Sequence, residues 1–320
     1  MRNFNRFDLS IQILAGHFLR QDELLYNAFC EVVSLKLIAI DMDGTLLNSR
    51  CQISRENVAA IKQVQTLGIE VVIATGRTYQ EVMDLCQQAG IATHVISSNG
   101  ALVHSQAGRK LASVTLSKQT TSHIVNWLEE NQYYYEVSAE GAIWSPQYGR
   151  QWLEQEIALY EQNNPLQDLS HLRFEAGLID RSIKRVDRYR QILEENDIYY
   201  KVFVFAADDV RRKAGYAKFG DSKDLTVVSS LDHNFEVMHR DASKGNGLKT
   251  LAGTLGIPVQ RAVAIGDSYN DVSMLEAAGY SVAMGNARSD IKANCDWVTA
   301  TNEEHGVAKA LERLMKLRRG

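Results

Sequence analysis

Leu37-Ile38-Ala39-Ile40-Asp41-Met42-Asp43-Gly44 is the stretch from which the rest of the chain can be read. Four apolar residues in a row fit a strand buried on both faces, and the run stops at two carboxylates and a glycine. The pattern returns twice. Ile69–Ala74 breaks at Thr75-Gly76, and Ala262–Ile265 ends at Gly266-Asp267. Helical periodicity fills the gaps. Ser54 opens a pattern through Val58, Ile61 and Val64 that Gly68 closes, and Glu81–Gln88 is followed by a capping Gly90. Val95–Ser97 adds a third strand. Strands alternating with helices predict an α/β fold, a parallel sheet with helices on both faces.

Outward from this unit the pattern is interrupted and then resumes. Strands are predicted at Val114–Leu116, Tyr133–Val137, Ala142–Trp144, Ile183–Val186 and Lys201–Ala206, and helices at Ser122–Glu130, Arg150–Gln162 and Arg188–Asn196. Residues 104–235 therefore read as an inserted α/β domain, with 35–103 and 236–320 forming the first one. Near Ser243 a helix runs through Leu248, Leu251 and Leu255 to Gly256. Val272–Ala278 is helical, Ser281–Met284 a strand and Val307–Leu317 a terminal helix. Residues 1–34 match no motif. Either the working chain starts near Val32 or Val33, or a helix docks Phe7, Ile11, Leu14 and Phe18 onto the core. The first reading is preferred, and this extension is expected to be dispensable for activity.

The 320 residues are 45% hydrophobic, enough for roughly two domains. With 35 basic and 39 acidic residues the net charge is −4, so no basic excess recruits nucleic acid or an anionic membrane. No apolar window nears the roughly 18 residues of a spanning helix, and Gln12 and His17 break up the N-terminal apolar stretch. The four cysteines are scattered without a CxxC pair, which points to a reducing cytoplasm. The eight histidines show no metal-ligand spacing.

The polar residues at the strand ends carry the chemistry. In open α/β sheets ligands bind at the carboxyl ends of strands. Two carboxylates two residues apart, Asp41 and Asp43, can divide the work of phosphoryl transfer: one attacks phosphorus, and the other handles the protons of the leaving oxygen and of water. Thr75 and Gly76 offer a hydroxyl and backbone N–H groups to phosphate oxygens. Lys244, opening a helix, can offset the repulsion between Asp41 and an incoming dianion. Asp267 suits direct ligation of magnesium with Asp41, and Asp271 suits a water-mediated or orienting role. Each motif alone has a plainer reading as an acidic loop, a helix cap or a solvated lysine. Their shared position after strands or at helix starts is what argues for one site.

The stretches Ile38–Leu47, Ala74–Arg77, Ser98–Ala101, Ser243–Gly245 and Gly266–Asp271 together resemble the haloacid dehalogenase-like hydrolases, specifically their Cof-type phosphatase branch. Val282–Ala287 and Gly306–Ala308 fit it as well. The resemblance spans about residues 35–317; the extension before it is the one departure. It implies a Rossmann-like parallel-sheet core with a large inserted α/β cap that sets substrate specificity. It also implies a Mg2+-dependent phosphatase acting on a small phosphorylated metabolite, such as a sugar phosphate or phosphorylated cofactor. By the same resemblance Asp41 is the nucleophile and a metal ligand. Asp43 is the general acid/base, with its backbone carbonyl on the metal. Thr75, Gly76, Lys244 and Asn270 hold the phosphoryl group, and Asp267 completes the metal site with Asp271 behind it.

A phosphomutase would use the same residues and return the phosphoryl group to substrate. An aspartate-phosphorylated receiver would need neither the insertion nor Asp43, and a DxD glycosyltransferase would leave Lys244 and Asp267 without a role. In the insertion, Tyr133, Tyr134, Tyr135 and Trp144 are expected to pack its core rather than face substrate. Lys184, Arg185, Arg211 and Arg212 are expected on solvated faces.

Overall fold

The structure is a computed structural model describing residues 35–165, 169–170, 172–173, 183–229 and 233–319. The extension 1–34 lies outside the described residues. Among the described residues the order begins with β1 (Leu37–Ile40), α1 (Arg55–Thr66), β2 (Glu70–Ala74), α2 (Tyr79–Ala89), β3 (His94–Ser97), β4 (Leu102–His104) and β5 (Lys110–Ser113). A second group follows: α3 (Lys118–Glu130), β6 (Tyr134–Ala139), β7 (Ala142–Pro146), α4 (Gly149–Asn163), β8 (Ile183–Val186), α5 (Arg190–Glu194), β9 (Tyr199–Phe205), α6 (Asp209–Phe219), β10 (Leu225–Val228) and β11 (Asn234–His239). The chain then returns with α7 (Lys244–Thr254), β12 (Ala262–Gly266), α8 (Val272–Ala277), β13 (Tyr280–Ala283), α9 (Ser289–Ala293), β14 (Trp297–Val298) and α10 (Gly306–Arg319).

Two sheets result. The first runs β14-β13-β12-β1-β2-β3-β4-β5 and is parallel from β14 to β3. Its strands are short apolar runs because they are covered on both faces; every residue of β1 is buried. From β1 the chain builds outward to β2 and β3 on one side, and later to β12 and β13 on the other. The carboxyl ends of β1, β2 and β12 therefore flank the point where the order reverses, where such sheets form a crevice. The second sheet, β10-β11-β9-β6-β7-β8, is antiparallel except for the β7–β8 pair.

The insertion boundaries expected at 104 and 235 shift. β4 and β5 extend the first sheet antiparallel through Ser113, and β11 belongs to the second sheet through His239. The strand expected at Val114–Leu116 is β5, four residues earlier, while Leu116 makes only an isolated bridge to Tyr199. β5 is a half-exposed edge strand, so the apolar signal peaks in the connection beyond it. α6, β10 and β11 were not predicted. β11 reads Asn-Phe-Glu-Val-Met-His, and its central charge hides the alternation.

That alternation sorts the cap sheet's two faces. Tyr133, Tyr135, Val137, Trp144, Val202, Val204, Phe235 and Val237 join the hydrophobic cluster beneath the cap helices. Tyr134 turns to the other face and packs with Leu153 and Phe205. All four aromatic residues expected in the cap interior are buried. Among the described residues no helix is long and apolar enough to cross a membrane.

Candidate active site

Asp41 follows the last residue of β1. Its N–H donates to the Ile265 carbonyl (3.0 Å), so the backbone still follows the sheet when the carboxylate reaches the crevice. The turn Met42–Leu46 carries Asp43 to the cavity wall. Gly44 within it has φ +78, and a Cβ there would lie 2.5 Å from Asp267 Oδ2. Only glycine allows the turn and the Asp267 carboxylate to approach this closely. Thr45 Oγ1 donates to Asp267 Oδ1 (2.7 Å) and fixes that side chain.

Lys244 is the first residue of α7, whose N-cap Ser243 accepts from the Asn246 N–H. Its Nζ donates to Asp41 Oδ1 and to Asp271 Oδ1, both at 2.6 Å. The lysine is wholly buried, as is Asp271, and Asp41 is nearly so. Asp271 Oδ2 accepts from the N–H groups of Asp267 (2.9 Å) and Ser268 (3.0 Å), which locks the turn carrying Asp267. Asp271 thus shapes the loop and also holds the lysine.

Burial dominates the electrostatics. It pushes the Asp41 carboxyl well above the usual carboxylate range, with Asp271 adding to the rise and Lys244 opposing it. Burial and Asp271 push Asp267 up to about 7. Burial alone would discharge Lys244, but Asp271 and Asp41 outweigh it and hold the ammonium charged. Three carboxylates therefore share one cation, and Asp41, Asp267 and Asp271 can bring one oxygen each within 4.8 Å of one another. An all-oxygen cluster with surplus negative charge fits a hard divalent cation, and among the described residues it is the one such grouping.

Asp43 is more exposed, and both its oxygens are engaged by Arg77, from Nε (2.8 Å) and from Nη2 (2.6 Å). This bidentate pair ties the β1 loop to the β2 loop. Thr75 is buried at the end of β2, its Oγ1 accepting from the Arg77 N–H (3.2 Å). Asn270 donates from Nδ2 to Asn99 Oδ1 (3.1 Å), and its own Oδ1 is buried without a partner among the described residues. Asp41, Asp43, Thr75, Gly76, Asp267 and Asn270 all line one cavity of about 1150 Å³, which residues of the second sheet line as well. Lys244 and Asp271 lie behind its wall.

A family model described as haloacid dehalogenase-like hydrolase matches residues 38–311. The chain belongs to the haloacid dehalogenase-like hydrolases. Phosphatase YwpJ of Bacillus subtilis is 45% identical over 285 residues, covering 88% of this chain and all of that protein. The B. subtilis 5-amino-6-(5-phospho-D-ribitylamino)uracil phosphatase YwtE is 33% identical over 283 residues, covering 88% and 98%. The solved structure of a haloacid dehalogenase-like hydrolase from B. subtilis superposes with a TM-score of 0.78 at 46% identity, covering 88% of this chain and 100% of the other. The chain is thus a hydrolase of a family whose named relatives include phosphatases.

Sequence reasoning overlooked a group contributed by the cap. Glu236 Oε2 accepts from Lys201 Nζ (2.6 Å) and Asn99 Nδ2 (3.0 Å), and Lys201 Nζ also donates to the Gly76 carbonyl (2.8 Å). The chain Asn270–Asn99–Glu236–Lys201–Gly76 links three core loops to two cap strands. Its signal was present in the sequence: β6, β9 and β11 are apolar strands each interrupted by one charge, at Glu136, Lys201 and Glu236. Of the basic residues expected on solvated faces, Arg212 instead lines the cavity, donating to the carbonyls of Ala206 and Ala207 and pairing with Asp209.

Proposed function

We propose that the protein is a Mg2+-dependent phosphatase that hydrolyses a small phosphorylated metabolite through an aspartyl-phosphate on Asp41. One observation carries this reading: Asp41 opens into a cavity large enough for a metabolite while Lys244, Asp267 and Asp271 surround it with the countercharge and metal ligands that phosphoryl transfer needs.

Asp41 attacks phosphorus, forming the acyl phosphate as the ester P–O bond breaks. The leaving oxygen takes a proton from the Asp43 carboxyl group, which gives up its ion pair with Arg77 and enters the step in its acid form. Asp43 then accepts a proton from water as that water attacks phosphorus, which releases inorganic phosphate and restores Asp41. Lys244 holds Asp41 in position and offsets charge on the transferring group, and Thr75 and Gly76 offer donors to the phosphoryl oxygens. Asn270 contributes its amide once released from Asn99. Asp41, Asp267 and the Asp43 backbone carbonyl would hold Mg2+, with Asp271 orienting them. Bound there, the cation neutralises the mutual repulsion of carboxylate and phosphate. The name of YwtE supports a phosphorylated sugar-alcohol derivative as the substrate class, and a soluble cytoplasmic enzyme fits the thiol pattern.

The test is phosphate release from p-nitrophenyl phosphate and a panel of phosphorylated metabolites, with Mg2+ and in excess chelator. Release that needs the metal supports the reading. No release from any ester, or equal release in chelator, overturns it.

A further inference from the structure

The cap wall of the cavity is one face of the second sheet, and its register makes a pattern. Glu136 pairs with Phe203, and Phe203 pairs with Glu236, so the three form a cross-strand row facing the core loops. Ser138 and Lys201 pair in the adjacent row on the same wall. Two of these charges are already committed. Glu236 and Lys201 satisfy each other and bind Asn99 and the Gly76 carbonyl, which makes them a strut between cap and core.

Glu136 is different. Its Oε1 accepts from the hydroxyl of Tyr134 (2.8 Å), a ring wholly buried against Leu153 and Phe205, so the carboxylate is held in one orientation. Among the described residues that is its one hydrogen bond, and the residue lines the cavity. Burial pushes this carboxyl up to about 7, although Tyr134 and Lys201 pull it down. A carboxylate so placed gains from any donor that reaches it. Beside it the half-buried Phe203 presents an apolar surface to the same space.

The geometry points to Glu136 and Phe203 as the subsite that selects the leaving group: Glu136 accepts hydrogen bonds from hydroxyl or N–H donors of an uncharged polyol-like moiety packed on Phe203, and it repels substrates carrying a second anionic group. This rests on the phosphatase reading of the Asp41 site and adds to it the chemical class of the leaving group.

The full-length protein with Mg2+ is assayed on three substrates. p-Nitrophenyl phosphate has no donor on its leaving group, a hexitol monophosphate has several, and a hexose bisphosphate adds a second anion. The wild type should prefer the hexitol ester over the bisphosphate by at least tenfold in kcat/KM. In Glu136→Ala the ratio of kcat/KM for the hexitol ester to that for p-nitrophenyl phosphate should fall about 10- to 100-fold, the scale of a lost hydrogen bond to a charged group. Glu136→Gln keeps the side-chain volume and tests the charge even if the alanine variant fails to fold; it should narrow the discrimination against the bisphosphate at least fivefold. An unchanged ratio in both variants, a parallel loss on all three substrates, or a wild type that cleaves the bisphosphate as well as the monoester overturns the subsite. If the wild type releases phosphate from none of the three, the phosphatase reading itself has failed, and the subsite falls with it.

Discussion

Replacing Lys244 with Met isolates the cation on which the buried carboxylates depend. The thioether chain fills most of the space of the lysine stem, so little cavity forms, but the ammonium 2.6 Å from both Asp41 and Asp271 is gone. Removing one partner of a buried ion pair costs about 3–5 kcal/mol, because the remaining charge is left without compensation. Here the cost falls toward the lower end, since Asp41 is already held well above the ordinary carboxylate range and can take up a proton. At about 2–4 °C per kcal/mol, a loss of about 3 kcal/mol lowers the Tm by about 6–12 °C at neutral pH. The sign with pH follows from linkage. Without the ammonium, Asp41 titrates still further above its unfolded value. The deficit is therefore largest at high pH and shrinks as the carboxyl is protonated. Turnover should fall by about 10²- to 10³-fold, the scale for losing one electrostatic contact in a transition state. Melting by circular dichroism at several pH values, paired with phosphate release, makes the test. A Tm within about 2 °C of wild type together with activity within tenfold would refute the reasoning.

Other outcomes follow from the same geometry. Asp43→Asn should slow turnover about 10²-fold, and more for unactivated esters than for p-nitrophenyl phosphate; equal losses on both would contradict the proton-transfer role. Asp267 is raised to about 7, so the folded state without metal binds more protons than the unfolded state between its ordinary value and 7. The Tm of the chelator-treated protein should therefore fall as pH rises through that window; Mg2+ or Asp267→Asn should flatten the slope, and a Tm rising with pH in both forms would contradict this. Gly100 has φ +96, and a Cβ there would sit 2.0 Å from the Ser243 carbonyl oxygen, so Gly100→Ala should cost about 2 kcal/mol or more, read as a lower Tm. Glu236→Ala strands the buried Lys201 ammonium and should destabilise by about 3 kcal/mol or more, whereas Glu140→Ala, on an exposed ion pair, should change the Tm little.

The fold was legible where strands are fully buried and end in a motif. β1, β2 and β12 are uninterrupted or nearly uninterrupted apolar runs, and their polar ends mark the crevice in the sequence itself. The cap was harder to read. Its strands must be apolar on one face and carry charges on the other, and Glu136, Lys201 and Glu236 each break an apolar run in a way that sequence alone reads as a strand end or a solvated side chain. The edge strand β5 lacks the apolar content that betrays a strand, which moved one boundary, and β11, interrupted by Glu236, moved the other. The site's inner group was legible for the same reason as the core. Asp41, Lys244, Asp267 and Asp271 sit at strand ends or helix starts, and the structure gathers them around one point. The contacts that hold them could not be read. That Asp271 both closes the 267–271 turn and grips Lys244, or that Arg77 takes both oxygens of Asp43, depends on side-chain directions set only when four loops converge.

The central claim is a covalent phosphoryl group on Asp41, and chemical trapping reads it directly. The protein is mixed with Mg2+ and a turned-over phosphate ester, quenched in acid during the steady state and treated with borohydride, which reduces an acyl phosphate to the alcohol. Peptide mass spectrometry then locates the product. Homoserine is expected at position 41, dependent on substrate and metal, and retained in Asp43→Asn with an activated ester, because loss of the base slows hydrolysis of the acyl phosphate. Rapid phosphate release with no reduced residue at 41, or with the reduced residue at Asp43 or Asp267 instead, would contradict it.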